Sequence, residues 1–310
     1  MTAPPILAAG AVVLAGVADG AVGELPTKLH PVAWFGRVVG ALDRPWSRPQ
    51  LVGSLAALVL PVVAAGCVAG VVAIGASSGR WIGGLLAGVA LFVSLSRRML
   101  LGEASAVVEL SGEDVEAART RLRSLAGRDA SSLSPAELRS AAVESAAENL
   151  ADGLVAPLLG FCLGATVSLP AAAGLAAWVK AVNTMDSMLG YHSTPTGWGP
   201  ARLDDVVMFV PARTTAVLLA LAAGRPGAVL SARKRAHLPS SPNSGWPMAT
   251  AAAAVDCRLH KPGAYDLFPE RALPDGRAGT RGVALVDRAA VLALLGAAGW
   301  CLLAGGGPWF

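Results

Sequence analysis

Residues 49–79 read PQLVGSLAALVLPVVAAGCVAGVVAIGASSG, 31 consecutive positions without a charged side chain. An α-helix rises 1.5 Å per residue, so about 20 apolar residues cross the roughly 30 Å hydrocarbon core of a bilayer. This stretch is longer than that. The pattern recurs on both sides of it. Residues 1–18 carry no charge, nor do 81–96 (16 positions), 153–179 (27 positions) and 289–310 (22 positions). Across all 310 residues, 54% are hydrophobic and only 15% are Asp, Glu, Lys or Arg. Ordinary soluble domains hold about 25% charged residues. Mean hydropathy is +0.56. These values exclude a typical soluble enzyme, a disordered chain and a collagen-like chain.

The fold class that follows is all-α: a polytopic helical membrane protein with about five to six membrane-embedded helices. The expected membrane segments are about 5–22, 51–76, 81–96, 153–179, 206–223 and 285–304, within a single integral membrane domain, 1–310. Cytoplasmic helical and loop insertions cover 97–150 and 224–284. Four prolines, at 26, 31, 45 and 49, make the segment after the first span an ordered loop with a short helix. Leu100 to Leu125 reads as one amphipathic helix. Ser134, Pro135 and Glu137 form a capping-box signature, starting a second helix that runs to about Asp152. Residues 153–179, with Gly160, Gly164, Pro170 and Gly174, suit either one kinked helix or a tight helical hairpin. No strand-like alternation is long enough to build a sheet.

The net charge of +4 arises in the loops. Residues 224–284 hold nine Lys or Arg against four Asp or Glu, and 97–150 hold seven Lys or Arg. In a membrane protein, loops rich in Lys and Arg, counted without regard to acidic residues, mark the cytoplasmic side. No basic stripe with interleaved aromatics is present, so no nucleic acid is expected as a partner. If 153–179 and 206–223 each cross once, 180–205 faces outside. A cytoplasmic site there requires a re-entrant segment or a cavity at membrane depth. Cys67, Cys162, Cys257 and Cys301 form no CxxC pair and read as reduced thiols. The N-terminal run lacks a positive n-region and contains Asp19, so it reads as a retained membrane helix. His192, His237 and His260 lack ligand spacing, and neither GxxxxGK[ST] nor GxGxxG occurs.

The polar residues that chemistry can use lie at the edges of apolar runs. Glu144, Glu148 and Asp152 are spaced i, i+4, i+8, which on an α-helix places them on one face, with Asn149 beside them. A solvated helix face has the same pattern. Here, however, the cluster runs straight into an uncharged span, where carboxylates need a cation and oxygen-rich sites suit Mg²⁺. Lys180, Asn183, Asp186 and Ser187 share one side of a helix that follows another apolar run. They read as a phosphate and metal site, with a plain ion pair as the alternative. Arg202, Asp204 and Asp205 follow, then Arg213 inside an apolar stretch. Arginine suits bidentate contact with phosphate or carboxylate. Asp205 either ligates a metal or caps the next helix. His30 before Pro31 is equally a packing residue, and residues 240–247, SSPNSGWP, are equally a structural loop.

These segments together resemble one family. His30-Pro31-Val32-Ala33-Trp34-Phe35-Gly36-Arg37 resembles its HPV-x-x-x-G-R element. Arg128-Asp129, then residues 144–158, ESAAENLADGLVAPL, resemble its RD…ES-x-AEN-x-x-DG-x-x-AP-L block. Residues 180–191, KAVNTMDSMLGY, resemble K-A-V-N-T-L-D-S-M-x-G-Y. Gly197-Trp198, residues 201–205 (ARLDD) and Pro211-Ala212-Arg213 resemble G-W…A-R-L-D-D…P-A-R, and residues 241–247, SPNSGWP, resemble S-P-N-A-G-W-P. The family is the CobD/CbiB membrane proteins of cobalamin biosynthesis, the adenosylcobinamide-phosphate synthases. The blocks are collinear over nearly the whole chain. Three positions depart from the pattern. Gly23-Glu24-Leu25 stands where a GDP element is frequent. Met208 stands at a usual Asn, and Met248 at a usual Glu.

The resemblance implies an amide bond between a carboxylate of adenosylcobyric acid and (R)-1-aminopropan-2-ol or its O-phosphate. It implies ATP and Mg²⁺ as cofactors, because a free carboxylate has no good leaving group and an acyl phosphate does. On this reading Glu144, Glu148, Asp152 and Asp186 hold Mg²⁺. Lys180, Arg202 and Arg213 bind phosphate, with Asn149, Asn183 and Ser187 beside the cofactor. His30, Arg37, Ser241, Asn243 and Trp246 meet substrate. Asp204 or Asp205 is the base or a further metal ligand. The implied place is the cytoplasmic membrane, with the active site facing the cytoplasm. The implied partners are the corrinoid, the lipid bilayer, and either other enzymes of cobalamin biosynthesis or a second copy of the chain. The competing class is non-enzymatic: a membrane scaffold that binds corrinoid, or an AmpE-like sensor.

Overall fold

The computed structural model describes residues 5–126, 129–190 and 195–304. Arg128, Tyr191 and His192 lie outside the described residues. Along the chain run α1 (Pro5–Val22), α2 (Pro31–Gly40), α3 (Pro49–Ser78), α4 (Arg80–Ser94), α5 (Arg97–Glu113), α6 (Val115–Ala126) and α7 (Pro135–Leu150). A π-helical turn, Ala151–Val155, leads into α8 (Ala156–Ala165) and α9 (Leu169–Leu189). A 3₁₀ turn, Pro195–Gly197, precedes α10 (Trp198–Val207), α11 (Phe209–Ala222), α12 (Gly227–Arg233) and α13 (Gly245–Val255). Two short strands, β1 (Leu259–Lys261) and β2 (Tyr265–Leu267), come before the last helix, α14 (Gly276–Ala304). Among the described residues, five helical stretches are long and apolar enough to cross a membrane: Pro5–Val22, Pro49–Ser78, Arg80–Glu113, Pro135–Ala165 and Gly276–Leu303. A sixth counts if Pro195–Val207 and Phe209–Ala222, broken between them, form one span. The protein is an all-α multi-pass membrane protein.

The chain divides into two compact units. The first comprises residues 1–96, 152–208 and 293–310, and the second 97–151 and 209–292. In the first unit, small residues bring helices close. Gly164 of α8 lies against the Ala171 backbone of α9, and Gly160 against Leu175. The two contacts run in opposite chain directions, so α8 and α9 form a tight antiparallel hairpin. Residues 153–179 are therefore a hairpin and not one kinked helix, turning where the Ser168 hydroxyl accepts from the Ala171 amide at 3.2 Å. Gly83 against Ala76 closes the α3–α4 hairpin in the same way, and Gly53 of α3 approaches the Thr196 backbone. The large side chains of α3, such as Leu51, Leu55, Leu58 and Val62, point outward instead. A membrane helix gains nothing by hiding such groups from lipid, so small residues take the packed face.

In the second unit, α5, α6 and α7 pack together, and α13 packs on α7, α11 and α12. The capping box forms as expected: the Ser134 hydroxyl accepts from the Glu137 amide, and Glu137 accepts from the Ser134 amide. Two local expectations need correction. The helix read over 100–125 breaks at Asp114, which is not helical and whose carboxylate accepts from the Ala117 amide at 3.0 Å. A side chain that caps a new start competes with helix continuation. The expectation of no sheet gives way to an antiparallel β1–β2 ribbon, in which His260 pairs with Asp266. Three-residue strands are too short to show a period in sequence. The final helix contains the expected last span and begins ahead of it, at Gly276, where Asp275 accepts from the Ala278 amide at 2.7 Å.

Candidate active site

In the first unit, α9 and α10 place the polar residues of two sequence blocks side by side. The Asn183 side chain donates to the carboxylate of Asp204, and the carboxylates of Asp152, Asp186 and Asp205 act on that same group. The second Asp204 oxygen, Oδ1, is buried and has no hydrogen-bond partner among the described residues. Asp152 sits in the π-helical turn, a distortion frequent at functional sites. The turn is anchored where the Ser96 amide donates to the Gly153 carbonyl at 3.1 Å. Gly190, which follows α9, is required by Asp186: a Cβ at 190 would stand 2.0 Å from the Asp186 carboxylate. Asp152 and Glu24 are the acidic groups that act on the Lys180 ammonium.

Lys180 also lines a pocket of about 290 Å³ together with Glu24, Thr27, His30 and Thr184. This joins two sequence blocks that stand far apart in the chain. Burial holds the His30 imidazole below its ordinary value, with Glu24 opposing that shift. Its Nδ1 is buried without a partner among the described residues. Arg37 and Ser187, by contrast, are exposed. Arg202 is exposed and pairs with Asp205 at 3.2 Å, one helical turn away. Asp205 is thus an ion-pair partner on its own helix.

The second unit unites two further blocks. Arg213 donates to Asn243 Oδ1 at 2.9 Å, and its guanidinium lies 3.6 Å from the Phe209 ring centroid and 5.0 Å from that of Trp246. Ser241 shapes the loop by accepting from the Asn243 and Ser244 amides. Glu144, expected as a metal ligand, is fully buried. One carboxylate oxygen accepts from Ser140 at 2.7 Å and the other from Tyr265 at 2.8 Å. Ser140 in turn accepts from the His260 amide of β1 at 2.8 Å. Glu144 therefore ties α7 to the ribbon. The Asn149 amide donates to the Ser145 carbonyl on its own helix, and Glu148 is half-buried. The regular helix ends at Leu150, so the even spacing of Glu144, Glu148 and Asp152 is not carried by one uninterrupted α-helix. Sequence reasoning missed Tyr265 and Ser140, for which a lone hydroxyl gives no pattern. It also missed Phe209, which read only as part of an apolar run. Met208 and Met248 are buried, and Met248 Sδ accepts from Tyr265 at 3.5 Å.

Mg²⁺ needs hard oxygen donors. Among the described residues no group of three acidic, His or Cys side chains is placed to hold a metal alone. Mg²⁺ commonly takes one or two carboxylates, several waters and substrate phosphate oxygens. Asp152 and Asp186 suit that smaller share, one or two carboxylate ligands to an ion that brings its waters and phosphate oxygens with it. Glu144, with both oxygens engaged, does not fit.

Residues 12–292 match the family described as CobD/Cbib protein. The chain belongs to that family. A probable cobalamin biosynthesis protein CobD of Methanothrix thermoacetophila is 36% identical, over 91% of this chain and 93% of the relative. The cobalamin biosynthesis protein CobD of Mycobacterium tuberculosis is 38% identical over 90% and 89%. That of Klebsiella pneumoniae is 36% identical over 81% and 82%. No solved structure matches the chain. The family match spans both units and includes every sequence block described above.

Proposed function

We propose that the protein is a membrane enzyme of cobalamin biosynthesis that forms an amide bond between a corrinoid carboxylate, that of adenosylcobyric acid, and aminopropanol or its phosphate. The family and its relatives support the pathway and the corrinoid substrate. The observation that carries the chemistry is the group of Asp152, Asp186 and Asp204 beside Asn183 in the first unit. Such crowding of like charge costs stability and persists where function needs it.

The reaction joins a carboxylate to an amine with ATP as the co-substrate. The terminal phosphoryl group passes to the carboxylate, giving an acyl phosphate and ADP. The amine nitrogen attacks the acyl carbon, phosphate leaves, and the amine gives up a proton. Mg²⁺, if bound through Asp152 and Asp186 together with phosphate oxygens, would neutralise charge on the phosphates. Lys180 binds a phosphate oxygen. Asn183 holds Asp204 in position, and Asp204 accepts the amine proton on its Oδ1, unpartnered among the described residues. In the second unit, Arg213, Asn243 and Trp246 form a polar cluster with the chemistry to bind a phosphate or carboxylate. The site works from the cytoplasmic side of the cell membrane.

The test is direct. Purified protein is incubated with adenosylcobyric acid, aminopropanol phosphate, ATP and Mg²⁺, and the condensed product is sought by mass. Retained corrinoid binding without product would replace this reading with a non-enzymatic scaffold.

A further inference from the structure

The second unit holds a basic pocket that the proposed reaction does not use. Its volume is about 390 Å³, and Arg225, Arg281 and Arg288 line it together with Asp256. Arg225 follows α11, where Gly224 turns the chain at a φ of +63°. Its guanidinium is held in place by donating to the Ala254 carbonyl at 3.1 Å. Arg281 and Arg288 are two helical turns apart on α14 and so share a face. Arg288 Nε donates only back to the Ala284 carbonyl, at 3.3 Å. Neither Arg281 nor Arg288 meets a carboxylate among the described residues. Asp256 does not neutralise them, because it pairs with Arg271 at 3.1 Å. Three permanent cations thus face one pocket whose single carboxylate is already paired.

The depth of this pocket is written in the sequence. Arg288 immediately precedes the 22 uncharged positions 289–310, and Arg225 follows the apolar stretch of α11. When those runs sit in hydrocarbon, both arginines fall at headgroup level, where the abundant anions are lipid phosphates. Guanidinium forks match phosphate oxygens in pairs. We propose that Arg225, Arg281 and Arg288 bind the phosphate headgroup of an anionic phospholipid.

The test uses the full chain in nanodiscs of equimolar phosphatidylglycerol and phosphatidylcholine, then extracted into neutral detergent, with bound lipid read by native mass spectrometry. The variants are Arg281→Gln and Arg288→Gln, whose side chains are exposed and hold no other element. Arg233→Gln on α12 is the control. Preferential retention of phosphatidylglycerol, lowered about fivefold by each pocket variant and unchanged in the control, supports the proposal. Equal retention of both lipids, or an undiminished preference in both pocket variants, overturns it. Millimolar inorganic phosphate separates the two sources of the same chemistry. Lipid retained in its presence supports the headgroup. Complete displacement makes the pocket a site for soluble phosphate and overturns the lipid assignment.

Discussion

The Tyr265 hydroxyl donates to Glu144 at 2.8 Å, joining β2 to the middle of α7 across 121 positions of sequence. A fully buried carboxylate must be satisfied, and here Ser140 and Tyr265 do so. Tyr265→Phe removes one donor and keeps the ring. It is expected to destabilise the protein by about 1–3 kcal/mol. Thermal unfolding in detergent measures this, and an unchanged midpoint would show the bond to be dispensable.

Asp204 gives the opposite expectation. Asp204→Asn relieves the repulsion from Asp152, Asp186 and Asp205. Stability should hold or rise while product formation falls by about 100-fold or more. Measuring both on one preparation separates a functional carboxylate from a structural one. Loss of stability together with activity would remove Asp204 from the site.

Arg213 and Asn243 should be energetically coupled through their 2.9 Å bond. A double-mutant cycle with Arg213→Lys and Asn243→Ala is expected to give a coupling of about 0.5–3 kcal/mol in substrate binding. Lysine keeps the charge but loses the planar stack on Phe209 and Trp246. Strict additivity of the two changes would show that the loops act separately.

His30 sets a pH expectation. Its folded-state value lies below the ordinary 6.5, with burial as the main cause. The unfolded chain therefore binds the proton more readily. The His30 contribution to stability is present above about pH 6.5 and is lost as pH falls through the folded value. Unfolding midpoints from about pH 5 to 7.5 should show less slope in His30→Gln than in the wild type. Identical slopes would mean that His30 is not buried as described.

Gly164 is a packing position. A Cβ there would stand 2.3 Å from the Ala171 carbonyl oxygen, with backbone on both sides unable to yield. Gly164→Ala should cost about 1–3 kcal/mol, read as a lower yield of folded protein and a lower unfolding midpoint. Gly66 meets nothing within 4 Å, so Gly66→Ala is a matched control.

The sequence alone determined that this chain crosses a membrane, because uncharged runs such as 49–79 need only be counted. It also determined the helix start at Pro135, because proline and capping residues act over a few positions. The family was legible because its blocks are collinear. Neighbouring residues of one helix, such as Lys180, Asn183 and Asp186, were legible as a set for the same local reason. Only the tertiary structure decided that 153–179 folds back on itself, since a glycine pattern suits a kink as well as a hairpin until a partner backbone is in place. It alone joined Asn183 to Asp204, Lys180 to His30 and Arg213 to Asn243. It alone gave Glu144 to Tyr265 and not to a metal. A carboxylate reads the same in sequence whether it faces a cation, a hydroxyl or another carboxylate; what it does is set by the groups that distant segments bring within hydrogen-bond reach.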